Sequence, residues 1–291
     1  MTGAGPIVVT GAAGYLGGRV LDRLRAAGVP ARGLGRRSGP GITACDLTDD
    51  SAARTIAGLY PRAVVHCAAV VPADAAGYTD EDAARLSLAM LESVIAARPG
   101  HLVFASSMTV YGAAPPTPAG EDDAPPPGRG YAGGKRRAEL RLLAEKDLAV
   151  TVLRLPGLFG PPRQGGLLYN VARALARGEA PRLTEHPPLW AALHVDDAAG
   201  MIVKAALGGP AGKRVLNAGY AGRFSTTRAV NALARQFGLG PLTDMPAPEF
   251  EFNLDRLKTT LGLPDHTFES RLAELCREAR AEAAEARVGH A

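Results

Sequence analysis

Cysteine is scarce in this chain of 291 residues: Cys45, Cys67 and Cys276 are an odd number, and none stands in a CxxC spacing. A disulfide framework and a cysteine zinc site are both unsupported. The six histidines form neither an HxxxH nor an HExxH pair, so no metal centre is expected. Charge of one sign is lacking too: 33 Lys and Arg against 29 Asp and Glu leave a net charge of only +4. The basic residues are mostly scattered arginines without interleaved aromatics, which argues against nucleic acid as a partner. The densest cluster, Lys135-Arg136-Arg137, falls in a helical pattern and reads as a solvated helix face. Long hydrophobic runs are missing: the longest, Ala63 to Val71, is half a membrane span and contains His66. Ile7-Val8-Val9 already reads as a strand, with no leader-like segment before it. The expectation is a soluble, cytoplasmic protein without a membrane partner.

What is present is ample apolar mass. Hydrophobic residues make up 46% of the chain, enough for a real core. The length suits one large domain or two small ones. Short apolar runs alternate with helix-length amphipathic stretches: strands at Ile7–Thr10, Ala31–Leu34, Ala63–Ala68, His101–Ser106 and Val150–Leu155, and helices through about Ala27, over Asp82–Ala97 and over Tyr131–Lys146. Such alternation implies βαβ units, hence an α/β fold with a doubly wound parallel sheet of the Rossmann type. After Leu155 the texture changes, with Gly and Pro around one helix at Leu167–Arg177 and another helix after His194. Val215–Asn217 is a further strand, and from Gly219 the chain reads as short helices and turns. The Ala-, Glu- and Arg-rich tail from about Ala279 reads as frayed or disordered. The predicted division is a dinucleotide-binding domain over 1–155, with 193–218 returning to it, and a smaller, mostly C-terminal substrate region within 156–291, chiefly 156–192 and 219–278.

Three motifs carry chemistry. The first is strand, Gly11-Ala12-Ala13-Gly14-Tyr15-Leu16-Gly17, then helix. Glycine there permits a tight turn, close approach of backbone to a pyrophosphate, and close helix–strand packing, while the helix N-terminus offers free N–H groups to phosphate. The second is the end of the second predicted strand, Gly33-Leu34-Gly35-Arg36-Arg37-Ser38. A carboxylate there would bond the adenosine ribose and favour NAD. Gly35 stands in its place, and Arg36 and Arg37 suit a 2′-phosphate, so NADP is expected over NAD. The third is Ser106-Ser107 after a buried strand, followed 24 residues after Ser107 by Tyr131-Ala132-Gly133-Gly134-Lys135. Tyr and Lys at i and i+4 share a helix face. The lysine is expected to depress the tyrosine pKa, so that Tyr131 exchanges a proton with a carbonyl or alcohol while Ser107 holds the same oxygen. By chance alone a YxxxK arises in about one chain in eight of this composition. Its interval from the Ser-Ser strand end and from the acidic, proline-rich Glu121–Pro127 makes the joint signal specific.

Together these residues resemble the extended short-chain dehydrogenase/reductases of the NAD(P)-dependent epimerase/dehydratase family, and the resemblance covers nearly the whole chain. It implies that Lys135 also grips the nicotinamide ribose. It also implies cofactor contacts from Gly11, Ala13, Gly14, Tyr15, Leu16, Gly17, Arg36, Arg37, Asp46, Leu47, Ala68, Ala69, Tyr131, Lys135 and Pro156. Leu153-Arg154-Leu155-Pro156-Gly157-Leu158-Phe159-Gly160-Pro161, His194-Val195-Asp196-Asp197 and Asn253-Leu254-Asp255-Arg256-Leu257 resemble family segments of structural character.

Three departures bear on function. Met108-Thr109 follows Ser107 where the family's dehydratases carry an Asp-Glu pair, which speaks against dehydration. Trp190 stands where nucleotide-sugar enzymes of the family carry a diphosphate-binding Arg; Trp stacks on an apolar or planar group instead. Ala83 lies near the place of a family Asn. Met108, Thr109, Trp190, Arg163, Arg182 and Arg223 are the candidate substrate contacts, the arginines as replacements for the missing one. The leading expectation is an NADP-dependent reductase of a ketone or ketosugar, possibly nucleotide-linked, with Ser107, Tyr131 and Lys135 as the catalytic set. The alternative is an NAD-dependent nucleotide-sugar epimerase, and a non-catalytic dinucleotide sensor is a distant third. A homodimer through a helix pair is implied only by analogy of fold.

Overall fold

The structure, a computed structural model, describes residues 5–288 apart from 75, 184–186, 188, 210 and 211. Nine strands and nine α-helices, with three short 3-10 helices between them, are found among the described residues. In chain order they are β1 (Ile7–Thr10), α1 (Tyr15–Ala26), β2 (Ala31–Gly35), β3 (Ile42–Ala44), α2 (Ala52–Ala57), β4 (Ala63–His66), α3 (Glu81–Ala96), β5 (His101–Ser107), α4 (Gly130–Ala144), β6 (Ala149–Leu155), β7 (Gly157–Phe159), α5 (Leu167–Arg177), β8 (Ala192–His194), α6 (Val195–Leu207), β9 (Lys213–Asn217), α7 (Thr226–Gln236), α8 (Asp255–Thr260) and α9 (Phe268–Val288).

Seven strands form one parallel sheet in the order β3-β2-β1-β4-β5-β6-β9, and β7 and β8 form a separate parallel pair. The order reverses between β1 and β4, which opens a crevice at the carboxyl ends of the central strands, where α/β sheets take their ligands. The central strands read as continuous apolar runs because both faces are covered. Alternate residues feed two cores: Val8, Val64, Leu102, Phe104, Val150 and Val152 pack with α2, α3 and α4, and Ile7, Val9, Val65, Val103 and Leu153 pack with α1 and α6. The second core continues without a break through Leu168, Phe224, Leu233, Phe250, Phe252 and Leu272, so the later part of the chain is fastened to the sheet by shared apolar burial.

Several elements differ from the sequence reading. β3 and α2 go unread because each is short, and only Ile42 of β3 is even half-buried, leaving no alternation to detect. β7 and β8 have three residues each and lie in Gly- and Pro-rich sequence. The tail is not frayed from Ala279: α9 is one helix of 21 residues, the longest of the described elements. Its buried Leu272, Leu275, Cys276, Ala279 and Ala283 recur at helical spacing against α5 and α7, but the alanines among them mask the period. Among the described residues no helix is long and apolar enough to cross a membrane.

Candidate active site

The glycine turn lies at the reversal point. Gly11 has φ +68°, and a Cβ there would stand 2.7 Å from the Ala68 amide nitrogen, so any side chain would force β1 and β4 apart. Gly17 lets α1 settle onto the turn, since a Cβ would fall 2.2 Å from the Gly11 carbonyl oxygen. The N-cap of α1, Gly14, contributes no side-chain hydrogen bond, and the helix has no acid in its first turn. Its first N–H groups and positive dipole end are therefore available to an anion. Ala13 is exposed beside Gly14, Leu16 packs on the core, and Ala68 and Ala69 are half-buried across the crevice. This cradle fits a dinucleotide pyrophosphate. Tyr15 does more than line it: its hydroxyl donates to the Gly160 carbonyl at 2.5 Å, tying the start of α1 to the loop after β7.

At the far end of β2, Gly35 has room around it; a Cβ would meet nothing nearer than 3.3 Å. Arg36 and Arg37 are exposed. Asp46 accepts the Thr48 amide at 3.0 Å and the Thr48 hydroxyl at 2.7 Å, and these bonds, with Arg36 nearby, hold its carboxyl below the usual carboxylate range. Leu47 is buried in the core behind it, its carbonyl accepting the Ser93 hydroxyl at 2.7 Å.

The structure brings Ser107, Tyr131 and Lys135 together. α4 begins at Gly130, whose φ is +60° and whose missing Cβ would sit 2.1 Å from the Tyr78 carbonyl oxygen; its N–H donates to Glu81 at 2.5 Å. That start places Tyr131 within hydrogen-bond reach of the Ser107 hydroxyl. Ser107 Oγ also accepts the Thr109 amide at 3.2 Å and the Thr109 hydroxyl at 3.0 Å. One turn along, the Lys135 ammonium donates to the Ala105 carbonyl at 2.7 Å and lies 5.8 Å from the Tyr131 ring centroid and 4.8 Å from that of Phe104. A cavity of about 20 Å³, room for a single water, borders Lys135, Tyr131, Ala84, Ser87 and Phe104.

Two expectations about these residues are corrected. Lys135-Arg136-Arg137 is no solvated face: Lys135 is 8% exposed, Arg136 pairs with Glu139 at 3.0 Å, and Arg137 pairs with Glu81 at 3.1 Å. Nor is Tyr131 depressed by Lys135. Burial, with Tyr78 beside it, pushes the Tyr131 hydroxyl up to about 12 against the opposing Ser107 hydrogen bond. Burial likewise pushes the Lys135 amine down to about 8, opposed by Cys67 and Glu139. The ammonium points into the Ala105 carbonyl rather than at the phenol, so desolvation dominates both groups.

The substrate candidates are dispersed. Met108 is buried in the core and Thr109 is bound to Ser107, while Pro156, a cofactor candidate, is buried just past Leu155, the register partner of Ser107. Trp190 is half-buried against the core just before β8. Arg163 is exposed and close enough to Tyr15 to act on its hydroxyl electrostatically. Arg182 is exposed. Arg223 already faces Glu249 at 3.6 Å and Glu251 at 3.3 Å, so it is not a spare cation for a diphosphate. Sequence reasoning misses Tyr78, edge-on to Tyr131 at 5.8 Å, and the buried Glu139–Arg154 pair at 2.8 Å. Only the i, i+4, i+8 spacing of Tyr131, Lys135 and Glu139 could have signalled the latter. Among the described residues no group of three or more His, Cys, Asp or Glu is placed to hold a metal ion.

A reversed parallel sheet with a glycine turn at its switch point and a Tyr–Lys helix beside it defines the extended short-chain dehydrogenase/reductase class of enzymes. Residues 7–219 match the NAD dependent epimerase/dehydratase family, and the chain belongs to that family. Comparison with curated proteins finds no match. Among solved structures the chain is similar to MoeE5 in complex with UDP-glucose and NAD, at 25% identity and a TM-score of 0.75, over 96% of this chain and 99% of that one. It is also similar to a UDP-N-acetylglucosamine 4-epimerase from Bacillus cereus, at 21% identity and a TM-score of 0.77, over 95% and 97%. A UDP-glucose 4-epimerase from Thermus thermophilus, in complex with NAD, follows at 22% identity and a TM-score of 0.75, over 94% and 99%.

Proposed function

We propose that the protein is an NAD-dependent enzyme of nucleotide-linked sugars, working by transient oxidation of a sugar hydroxyl, as an epimerase does. The observation that carries this reading is the extent of the likeness to MoeE5, which was solved with UDP-glucose and NAD. The family match ends at residue 219, yet the likeness spans 96% of the chain and so includes most of the region beyond.

In this reading Gly11, Ala13, Gly14, Tyr15, Leu16 and Gly17 hold the pyrophosphate, Asp46 and Leu47 the adenine, and Ala68, Ala69, Pro156 and Lys135 the nicotinamide end. NAD, when bound, supplies a hydride acceptor that can return what it takes. Ser107 fixes the sugar oxygen. Tyr131 receives that oxygen's proton as the carbon it sits on loses hydride, and gives the proton back when hydride returns to the opposite face. Lys135, cationic below about pH 8 and 5.8 Å from the Tyr131 ring centroid, supplies a positive charge beside the transferred proton. Dehydration finds no support next to Ser107, where Met108 is buried and the Thr109 hydroxyl is bound to Ser107 itself.

Reduction of a ketone or ketosugar by NADPH is the second reading. It is favoured by one feature, the exposed Arg36 and Arg37 beside Gly35 where a carboxylate would select NAD.

The test is to purify the protein without added cofactor, identify the nucleotide released on denaturation, and incubate the enzyme with UDP-glucose alone. Retained NAD, with UDP-galactose formed and no cofactor consumed, supports the epimerase. Exchangeable binding that strongly prefers NADPH, with stoichiometric NADPH oxidation on a ketosugar, replaces it with the reductase.

A further inference from the structure

Three consecutive residues of β5 fasten three residues of α4 spaced four apart. Ser107 meets Tyr131, the Ala105 carbonyl takes the Lys135 ammonium at 2.7 Å, and the Ser106 hydroxyl donates to Glu139 at 2.6 Å. The third contact is unlike the others. Glu139 is fully buried, and besides Ser106 it accepts Arg154 twice, at 3.0 and 2.8 Å, and Arg136 at 3.0 Å. Arg154, 1% exposed, reaches on to the Tyr111 hydroxyl at 2.9 Å and the Glu121 carbonyl at 2.7 Å. Tyr111 in turn donates to Asn217 of β9 at 2.6 Å. Ser106, Glu139 and Arg154 thus join β5, α4 and β6 through charges withdrawn from water.

Stability alone does not explain such a pair. Desolvating two ions offsets most of their attraction, and well-packed apolar residues of the same volume hold a core as well or better. What an ion pair with fixed donors adds is geometry, because a carboxylate gripped from three sides accepts one helix position. A slip of α4 by one residue moves each side chain by about 1.5 Å along the axis and 100° around it, which would carry Tyr131 away from Ser107.

We propose that Glu139, held by Arg154 and Ser106, is a positioning residue: it sets the register of α4 on β5 and thereby the placement of Tyr131 and Lys135. This rests on the Ser107–Tyr131–Lys135 reading above. It also gives Lys135 its carboxylate neighbour. The titratable groups around that amine are His66 and Cys67 at the end of β4, with Tyr131 and Glu139 on α4 itself, and of these Glu139 is the carboxylate that favours the ammonium.

The test compares wild type with the apolar replacement Glu139→Leu/Arg154→Met, which removes both members of the buried pair and leaves Arg136 its backbone acceptors at Pro125 and Ala124. Lysine side chains carrying 13C at Cε are titrated by NMR without substrate, the Lys135 signal being assigned by its loss in Lys135→Met. The double variant is expected to melt cooperatively, to bind ADP-ribose within about threefold of wild type, and to titrate Lys135 about one pH unit lower. Its kcat on a nucleotide sugar is expected to fall about 100-fold with KM little changed, the mark of displaced catalytic groups. A folded double variant with the wild-type Lys135 midpoint and kcat overturns the proposal. If the double variant does not fold, Glu139→Gln decides by the same titration, and a midpoint within about 0.3 unit of wild type overturns it. Absence of wild-type turnover on every nucleotide sugar counts against the functional reading alone, because the lysine titration does not depend on substrate.

Discussion

The two ends of the crevice are built differently. At the strand ends of β5, Tyr131 is hydrogen-bonded to Ser107, Lys135 is tied to the Ala105 carbonyl, and Lys135 and Glu139 have almost no contact with water. At the end of β2, Gly35, Arg36, Arg37 and Asp46 lie in a loop, and the arginines are exposed. On the proposed reading, the contrast teaches where each part of the function is decided. Proton transfer needs groups of fixed position and altered acidity, so it is placed where desolvation is strong. Choice between dinucleotides differing by one phosphate needs only a charge in water, so it rests on side chains the fold hardly constrains.

The largest expected effect is at the buried end. Tyr131→Phe keeps the ring, its edge contact with Tyr78 and most of the packing, and removes only the hydroxyl. Turnover is expected to fall about 1,000-fold, in the range for losing a positioned acid–base group, with the melting temperature equal to or above wild type. Sugar interconversion by NMR, beside a thermal melt, checks both. Turnover near wild type would remove Tyr131 from the chemistry.

Lys135 should show that the buried end trades stability for reactivity. Its pKa is about 8 in the fold, below the ordinary lysine value of 10.5. Between those values the unfolded chain binds more protons than the folded one, so stability should rise with pH across that window and be flat below it. The burden at neutral pH is about 3 kcal/mol, an order-of-magnitude figure from the size of the shift. Lys135→Met is expected to lose turnover, to be no less stable at pH 7, and to lack the gain between pH 8 and 10.5. Urea unfolding at a series of pH values is the measurement, and a variant that keeps the alkaline gain shows that another group causes it. In the wild type, kcat should decline above about pH 8 as the ammonium is lost.

The glycine turn lies between the two ends in character. Gly11→Ala must place a Cβ at positive φ and 2.7 Å from the Ala68 amide. A destabilisation of about 2 kcal/mol is expected from the backbone strain alone, together with weakened ADP-ribose binding. Calorimetry of the variant with and without ADP-ribose separates the two losses. Gly100→Ala serves as the control, since Gly100 is exposed, has no positive φ, and its Cβ would meet nothing within 4 Å.

How much of this is legible in the sequence follows the same division. The buried strands announce themselves as apolar runs, α1 and α5 as amphipathic stretches, and the Tyr131–Lys135 pair by its spacing from Ser107. These features are local, and a few residues decide them. Glu139 and Arg154 are not legible in that way, because a glutamate on a helix and an arginine in a strand become a pair only when α4 is laid across β5 and β6. The acidities of Tyr131 and Lys135 escape the sequence for the same reason: proximity of a cation is visible in an i, i+4 spacing, but the loss of water around it is a property of the packed fold. α9 shows the limit for alanine, which is buried as readily as leucine yet adds little to a hydrophobic period.

The smallest effect is expected at the exposed end, and it is the one that most sharpens the comparison. Replacing both arginines, Arg36→Gln with Arg37→Gln, removes two exposed charges, of which only Arg36 acts on a neighbour among the described residues, Asp46, so stability should change by less than about 0.5 kcal/mol. If NAD is the working cofactor, its affinity should stay within about threefold, since solvent screening weakens what these charges offer a dinucleotide without a 2′-phosphate. Titration of wild type and variant with NADH and NADPH, followed by cofactor fluorescence, checks it. A wild type that prefers NADPH, and loses that preference tenfold or more in the variant, would show about 1.4 kcal/mol resting on the 2′-phosphate. The exposed loop would then have chosen the reductase, whatever the buried end has in common with the epimerases.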